Sequence, residues 1–272
     1  MLAWTWIQNH RWLSVLFLTI VVIGTAGGTC WAVFFRTVAS PVSLRDALRL
    51  YRSNSSTAGL TGSSEEVRGA SLLVPGVYSY KTTGGESLSL LGADRSFPAE
   101  TEVIVSNNDR ACSTMAWVPI EQHTETTVAC PGSHHSIVGT QFVTHEEISN
   151  TNSTTVINCP NTMYLVPPIA VPGSHWSASC RQVNPAEPVE VTGQVLASAP
   201  VVVGGVPVPA YHVHLVMTFS GSADNGTSPV DFWFSMSRGV LLKEQETAQI
   251  SEDGVHYTET MGAVLESLTP AS

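Results

Sequence analysis

The sequence predicts an all-β exported domain behind one N-terminal transmembrane helix. Three observations predict it. Residues 13–35, LSVLFLTIVVIGTAGGTCWAVFF, carry no charged side chain. From residue 72 on, short β-type runs recur between glycines and prolines, and no long helical period interrupts them. Four cysteines, Cys112, Cys130, Cys159 and Cys180, lie inside that β region.

The apolar run is long enough to cross about 30 Å of hydrocarbon. Trp4, Trp6, Trp12 and Trp31 stand at or near its ends, where indoles favour the membrane interface. Two alternatives use the same residues. A cleaved signal peptide would take Arg11 as its basic start, Leu13–Ile23 as its core and GTAGG as its cleavage site. A lipoprotein leader would be acylated at Cys30, but Thr29 stands where such leaders carry Gly, Ala or Ser. CWAVFF prolongs the apolar run past the small residues and favours an uncleaved anchor. The predicted organisation is a tail over 1–12, a transmembrane helix over 13–35, a juxtamembrane helix and flexible linker over 36–71, and an extracytoplasmic β domain over 72–272.

In SLRDALRLYRS, Leu44, Leu48 and Tyr51 fall at helical spacing beside Arg45, Arg49 and Arg52. Such a helix either lies on lipid phosphates or is an ordinary solvated helix. The stretch RSNSSTAGLTGSSEE, rich in Ser, Gly and Thr, reads as a tether. Residues 1–71 hold six basic against three acidic side chains, and the remainder six against nineteen. An acidic domain repels nucleic acid, so no nucleic-acid partner is expected.

Within the β region the alternation is clear. Tyr211, Val213, Leu215 and Met217 share one strand face; Val230, Phe232, Phe234 and Met236 share another. Gly84-Gly85 reads as a hairpin turn between GVYSYKTT and ESLSLLG. One apolar face set against a polar one predicts antiparallel sheet, as a curved sheet, a sandwich or a barrel-like meander. Tyr211, Leu215, Phe232 and Phe234 form a candidate apolar-ligand face.

Each pair of neighbouring cysteines, Cys112 with Cys130 and Cys159 with Cys180, brackets a stretch containing one turn, as a two-strand clip would. Crossed pairings and metal binding are the rivals, and the absence of any CxxC weakens the metal reading. Disulfides imply an oxidising compartment. The arginines at 36, 45, 49 and 52 outnumber Arg11 and would place the C-terminal side in the cytoplasm. The cysteines favour the exported orientation, in the cell envelope. His212 and His214, at i and i+2, point the same way and are weak metal candidates; His134, His135, His145 and Glu146 could complete such a site. Glu244, Glu246, Asp231 and Glu259 offer a conceivable glycosidase-like carboxylate pair. G-x-S-x-G, S-x-x-K and H-E-x-x-H do not occur, so a non-enzymatic domain with no catalytic residues and no cofactor is expected.

PGVYSYKTTGGESLSLLGADRSFPAE, with the two cysteine pairs and GSHWSASC, resembles a family of uncharacterised actinobacterial membrane-anchored envelope proteins. VPVPAYHVHLVMTFSG followed by VDFWFSMSRGVLLKEQET is similar to strands of LolA- and LppX-like lipoprotein carriers, the matching residues being Asp231, Trp233, Gly239, Leu241 and Lys243. That resemblance implies a curved sheet around an apolar cavity closed by helices, although no closing helix is evident here. The expected function is a membrane-tethered domain that binds an envelope protein, glycan or lipid. A carrier or sensor of a lipid or other apolar ligand is the alternative.

Overall fold

A computed structural model describes residues 39–57, 73–89, 93–108, 112–148, 151–222, 224–252 and 255–272. The apolar segment 13–35 and the tail before it lie outside the described residues. Among the described residues, no helix is long and apolar enough to cross a membrane.

After residue 72, the described residues build sixteen strands. They are β1 (Gly76–Leu88), β2 (Ala93–Ser96), β3 (Glu100–Asn107), β4 (Ser113–Ile120), β5 (His123–Pro131), β6 (Ile137–Ile148), β7 (Thr151–Asn158) and β8 (Tyr164–Val166). The second half has β9 (His175–Gln182), β10 (Pro188–Leu196), β11 (Val201–Val203), β12 (Val206–Val208), β13 (Ala210–Ser220), β14 (Asp224–Ser235), β15 (Leu241–Glu252) and β16 (Val255–Leu265). Twelve of them form a closed antiparallel barrel in the order β16-β15-β14-β13-β10-β9-β7-β6-β5-β4-β3-β1, and β1 then pairs with β16. Of the three predicted architectures, the barrel-like meander is the one formed. Closure removes sheet edges that would otherwise recruit other strands. It comes from strand pairing, not from the helices that the carrier resemblance implies. A short hairpin, β11–β12, lies off this path.

The alternation of β16 shows how the wall is written. Glu259, Met261, Ala263 and Leu265 are buried, while His256, Thr258 and Thr260 are exposed. The neighbouring β15 likewise exposes Gln245, Thr247 and Gln249. The outer wall is polar, and the inner positions carry the core. One end of the interior is filled by Tyr78, Tyr80, Leu242, Met261 and Leu265, joined by Val201, Val203 and Val208 of the β11–β12 hairpin. A second cluster, with Val189, Val213, Leu215 and Phe234, continues the packing.

Gly84-Gly85 is not a turn. β1 runs straight through it, pairing Gly84 with Met261 and Gly85 with both Thr260 and Ser96. The glycines are needed because a Cβ at Gly84 would collide with the Thr260 carbonyl, and Gly84 has φ +113°. Met236 also departs from its predicted face: β14 ends at Ser235, and Met236 is exposed in the turn beyond it.

The predicted helix forms as α1 (Leu44–Thr57), capped by Ser43, whose Oγ lies 2.6 Å from Asp46 Oδ2 and accepts from the Asp46 amide at 3.3 Å. Its Ala47, Leu48 and Tyr51 cover Val77, Ile104 and Val118 on the outside of β1, β3 and β4. Leu48 and Tyr51 of the predicted stripe therefore face protein while Leu44 stays exposed, and the compact unit reaches back to Ala39. Disulfides Cys112–Cys130 and Cys159–Cys180 form as the neighbour pairing predicts. The first ties the start of β4 to the end of β5, and the second ties β9 to the residue that follows β7.

The wall is uneven at one place. β7 pairs with β6 over eight positions but with β9 only through Ile157↔Gln182 and Asn158↔Arg181. Beyond the Val183 amide bonded to the Val156 carbonyl, residues 151–155 extend past the β9–β10 turn. That stretch borders the end of the barrel opposite the apolar fill.

Candidate functional site

At this second end the inward positions carry charge. β1 turns Glu86 inward, β5 His123 and Glu125, β6 Glu146, β15 Glu244 and Glu246, and β16 Tyr257 and Glu259. Register brings them together: Glu86 lies opposite Glu259 across the β1–β16 seam that closes the barrel, and His123 opposite Glu146.

Part of this cluster is a closed network. Arg95 of β2 pairs with Glu86, both side chains being 2 % exposed, and donates to the Glu147 carbonyl at 2.7 Å. His123, fully buried, places Nδ1 2.9 Å from Glu86 Oε2 and Nε2 3.3 Å from Glu125 Oε1. Phe97 and Trp117 meet its ring edge-on at 5.7 and 5.6 Å between centroids. The Tyr257 hydroxyl lies 3.0 Å from Glu86 Oε2 and 2.6 Å from Glu259 Oε2. Glu259 Oε1 is buried and has no hydrogen-bond partner.

The remaining carboxylates border an internal cavity of about 190 Å³. Glu125, Glu146, Glu244, Glu246 and Glu259 line it, and Ser228 donates to Glu246 Oε1 at 2.5 Å. Facing them are Phe142, Ile157, Met217, Phe219, Phe232 and Ile250. Around the circumference, the glutamates occupy β15, β16, β1, β5 and β6, and most of the large apolar groups occupy β6, β7, β13 and β14; on the apolar side Asp224 of β14 also lines the cavity and accepts from Gln182. Ser153 and Thr155, on the stretch of β7 that extends past β9, also line the cavity.

Burial governs the protonation of these groups, because a carboxylate removed from water favours its neutral form. Burial raises Glu146 to about 7. It raises Glu246 to about 8, with the Glu125 charge adding to it. Glu244 is held well above the ordinary carboxylate range by burial and by the charges of Glu246 and Glu125. Glu259 is likewise held well above by burial and Glu125, against the opposing pull of His123. Glu86 behaves oppositely. Burial disfavours its charge, but the hydrogen bond and charge of His123, with Arg95, outweigh burial and lower it. His123 is the complement: burial opposes its charge, and the bonds to Glu125 and Glu86 push it well above the ordinary imidazole range.

Two groups bring possible metal-ligating atoms within 4.8 Å of one another: Glu86, His123 and Glu146, and His123, Glu125 and Glu259. Both depend on His123, whose two ring nitrogens already face carboxylates. No signal of period or motif pointed to this histidine; the curvature of the wall across β3 and β4 brings it to Glu86.

The predicted residues fall in different places. Leu215 and Phe234 are buried in apolar packing, Phe232 borders the cavity, and Tyr211 with Phe234 borders a smaller hollow of about 80 Å³ near Ser235–Gly239. His212 and His214 stand on the outer wall, where Nε2 and Nδ1 lie 2.8 and 3.2 Å from Asp231 Oδ1. Trp233 stacks on His212 at 4.1 Å, and Lys243 Nζ sits 4.1 Å from the Trp233 ring centroid. His145 bonds Thr154, and His134 and His135 lie in the turn before β6 (Ser133–His135), so neither joins His212. Of the four carboxylates considered, Glu244, Glu246 and Glu259 meet inside the barrel and Asp231 stays outside.

No family model and no curated protein matches this chain. Among solved structures it is similar to the hypothetical lipoprotein YmcC from Escherichia coli K12. The identity is 12 % and the TM-score 0.34, over 80 % of this chain and 96 % of that one.

Proposed function

We propose that this protein is a membrane-tethered, extracytoplasmic, non-enzymatic module that holds a small molecule inside its barrel. The single observation that carries this reading is the cavity of about 190 Å³ with acidic groups on one sector and large apolar groups on the other. Small-molecule sites are concave, mostly apolar and supplied with a few placed polar groups. A surface that binds only a folded partner needs no such interior. The two disulfides support an oxidising compartment. The strands similar to LolA- and LppX-like carriers contribute to this same wall, which favours a carrier or sensor over a purely structural domain. The ligand enters beside β7, where Ser153 and Thr155 face the cavity.

Phenethyl alcohol, small and neutral, tests the cavity. Titrated calorimetrically into the full chain in an uncharged detergent, it should bind at one per chain. Thr155→Trp, which fills the mouth, should abolish binding while leaving the melting temperature within a few degrees. Absence of saturable binding by the parent chain would overturn the reading. A reporter active only outside the cytoplasm, fused after Ser272, should be active.

A further inference from the structure

We propose that the cavity accepts an organic cation, a protonated amine set against Glu244, Glu246 and Glu259 with its hydrocarbon portion against Phe142, Met217 and Phe232. This rests on the reading of the cavity as a ligand site.

The charges at this end of the barrel do not balance. Its basic side chains among the described residues are Arg95 and His123. Arg95 is committed to Glu86, and His123 to Glu86 and Glu125. His123 reaches Glu246 and Glu259 only as a neighbouring charge, and the carboxylates of β15 and β16 face the cavity with no ion pair among the described residues. Burying a carboxyl group without a partner is unfavourable, and such a group either keeps its proton or meets a cation. Glu259 carries the more specific sign. It is 3 % exposed, its Oε2 is bonded to Tyr257, and its Oε1 is buried and unbonded. Native proteins leave few buried polar atoms unbonded, and the described residues give this oxygen no donor, so a water or an ammonium group would have to supply one.

An ammonium group fits that requirement better than a metal ion. It brings several N–H donors and a positive charge to Glu259 Oε1, Glu246 and Glu244, and needs no ligand from His123. A metal ion at either His123 group would have to take an imidazole nitrogen away from Glu86 or Glu125. It would also leave the apolar sector without an occupant. An amine with a short hydrocarbon body uses both sectors at once.

The probes are phenethylammonium, phenethyl alcohol and 3-phenylpropionate, which share one aryl-ethyl body and differ in charge. Each is titrated into the full chain in uncharged detergent micelles. Phenethylammonium should bind at least about tenfold more tightly than the alcohol, and the carboxylate most weakly. Glu259→Gln and, separately, Glu246→Gln should bring the ammonium to the level of the alcohol measured on the same variant. Gln keeps size and shape, and two independent variants guard against one that misfolds. Alcohol and ammonium binding equally would overturn the cation proposal and leave the cavity reading standing. Binding of none of the three would overturn both. Zn²⁺ or Mn²⁺ binding alone at one per chain, blocking phenethylammonium and lost in Glu259→Gln, would also overturn the proposal in favour of a metal site.

Discussion

The two ends of the barrel interior obey the same alternation and hold opposite chemistry. At one end the inward positions of β1, β15 and β16 are Tyr80, Leu242 and Leu265, closely packed with a valine hairpin against them. At the other end the same three strands turn Glu86, Glu246 and Glu259 inward, around a cavity. Nothing in the strand period distinguishes the ends. The difference teaches that apolar fill carries the stability of this barrel, and that its acidic end keeps an open space at a cost in desolvated carboxylates.

The largest effect should come from the filled end. Phe234 is 1 % exposed, and Phe234→Ala should cost about 3–5 kcal/mol by leaving a void. Phe232→Ala should cost less, because Phe232 borders the larger cavity of about 190 Å³ while Phe234 borders a hollow of only about 80 Å³. Thermal melts of both variants measure the contrast, and equal losses would mean that the cavity is tightly packed after all.

Next comes the network that seals the acidic end. Arg95→Met removes one of the two cations on Glu86 and should cost about 3 kcal/mol, since it leaves a buried carboxylate under-compensated. Chemical denaturation reads the loss. A neutral result would mean that His123 alone suffices.

A smaller and more diagnostic effect is the pH dependence. Glu146 and Glu246 have folded values of about 7 and about 8, above the ordinary carboxylate value. In the folded state they hold protons that the unfolded chain releases, so their contribution is present at low pH. It is lost as pH rises from about 4.5 through about 8. The raised His123 acts in the same sense, with stability lost as pH rises above its ordinary imidazole value. The lowered Glu86 acts oppositely, losing stability as pH falls below the ordinary carboxylate value. The melting temperature should therefore be highest near pH 5 and decline towards pH 8. Glu246→Gln should flatten that decline, and an unchanged slope would place the titration elsewhere.

The smallest effect belongs to the outer wall. Asp231 also sits between two histidines, but its side chain is 30 % exposed. Asp231→Asn should change stability by no more than about 1 kcal/mol, by the standard of exposed ion pairs. A larger loss, measured by the same melts, would show that solvent does not screen this cluster.

Much of the architecture was legible beforehand. β13 and β14 announce themselves through Tyr211–Met217 and Val230–Phe234, and the cysteine pairs bracket their own turns. The β11–β12 hairpin was missed, although Gly204-Gly205 between short valine runs is a usable turn signal. Gly84-Gly85 misled for a physical reason: a glycine pair serves a close backbone approach as well as a turn, and a sequence does not separate the two uses. The acidic site was half legible. Glu244, Glu246 and Glu259 stood out as carboxylates on C-terminal strands, but Asp231, one strand away, looked equivalent.

Alternation, turn residues and cysteine spacing are local properties, and by themselves they indicated most of the strands, their alternating faces and helix α1, and favoured the neighbour pairing of the cysteines that the structure shows. Closure of β1 on β16 is long-range: it joins residues near the two ends of the β region through pairs such as Glu86↔Glu259. Glu86 meets Arg95 across the local β1–β2 pairing, but only that closure brings Tyr257 into the same network. Alternation sets Asp231 on the face opposite Val230 and Phe232, and the tertiary structure makes that face the outer wall while Glu246 and Glu259 face a cavity. The strand period says which side a residue takes, and the tertiary structure says what waits on that side.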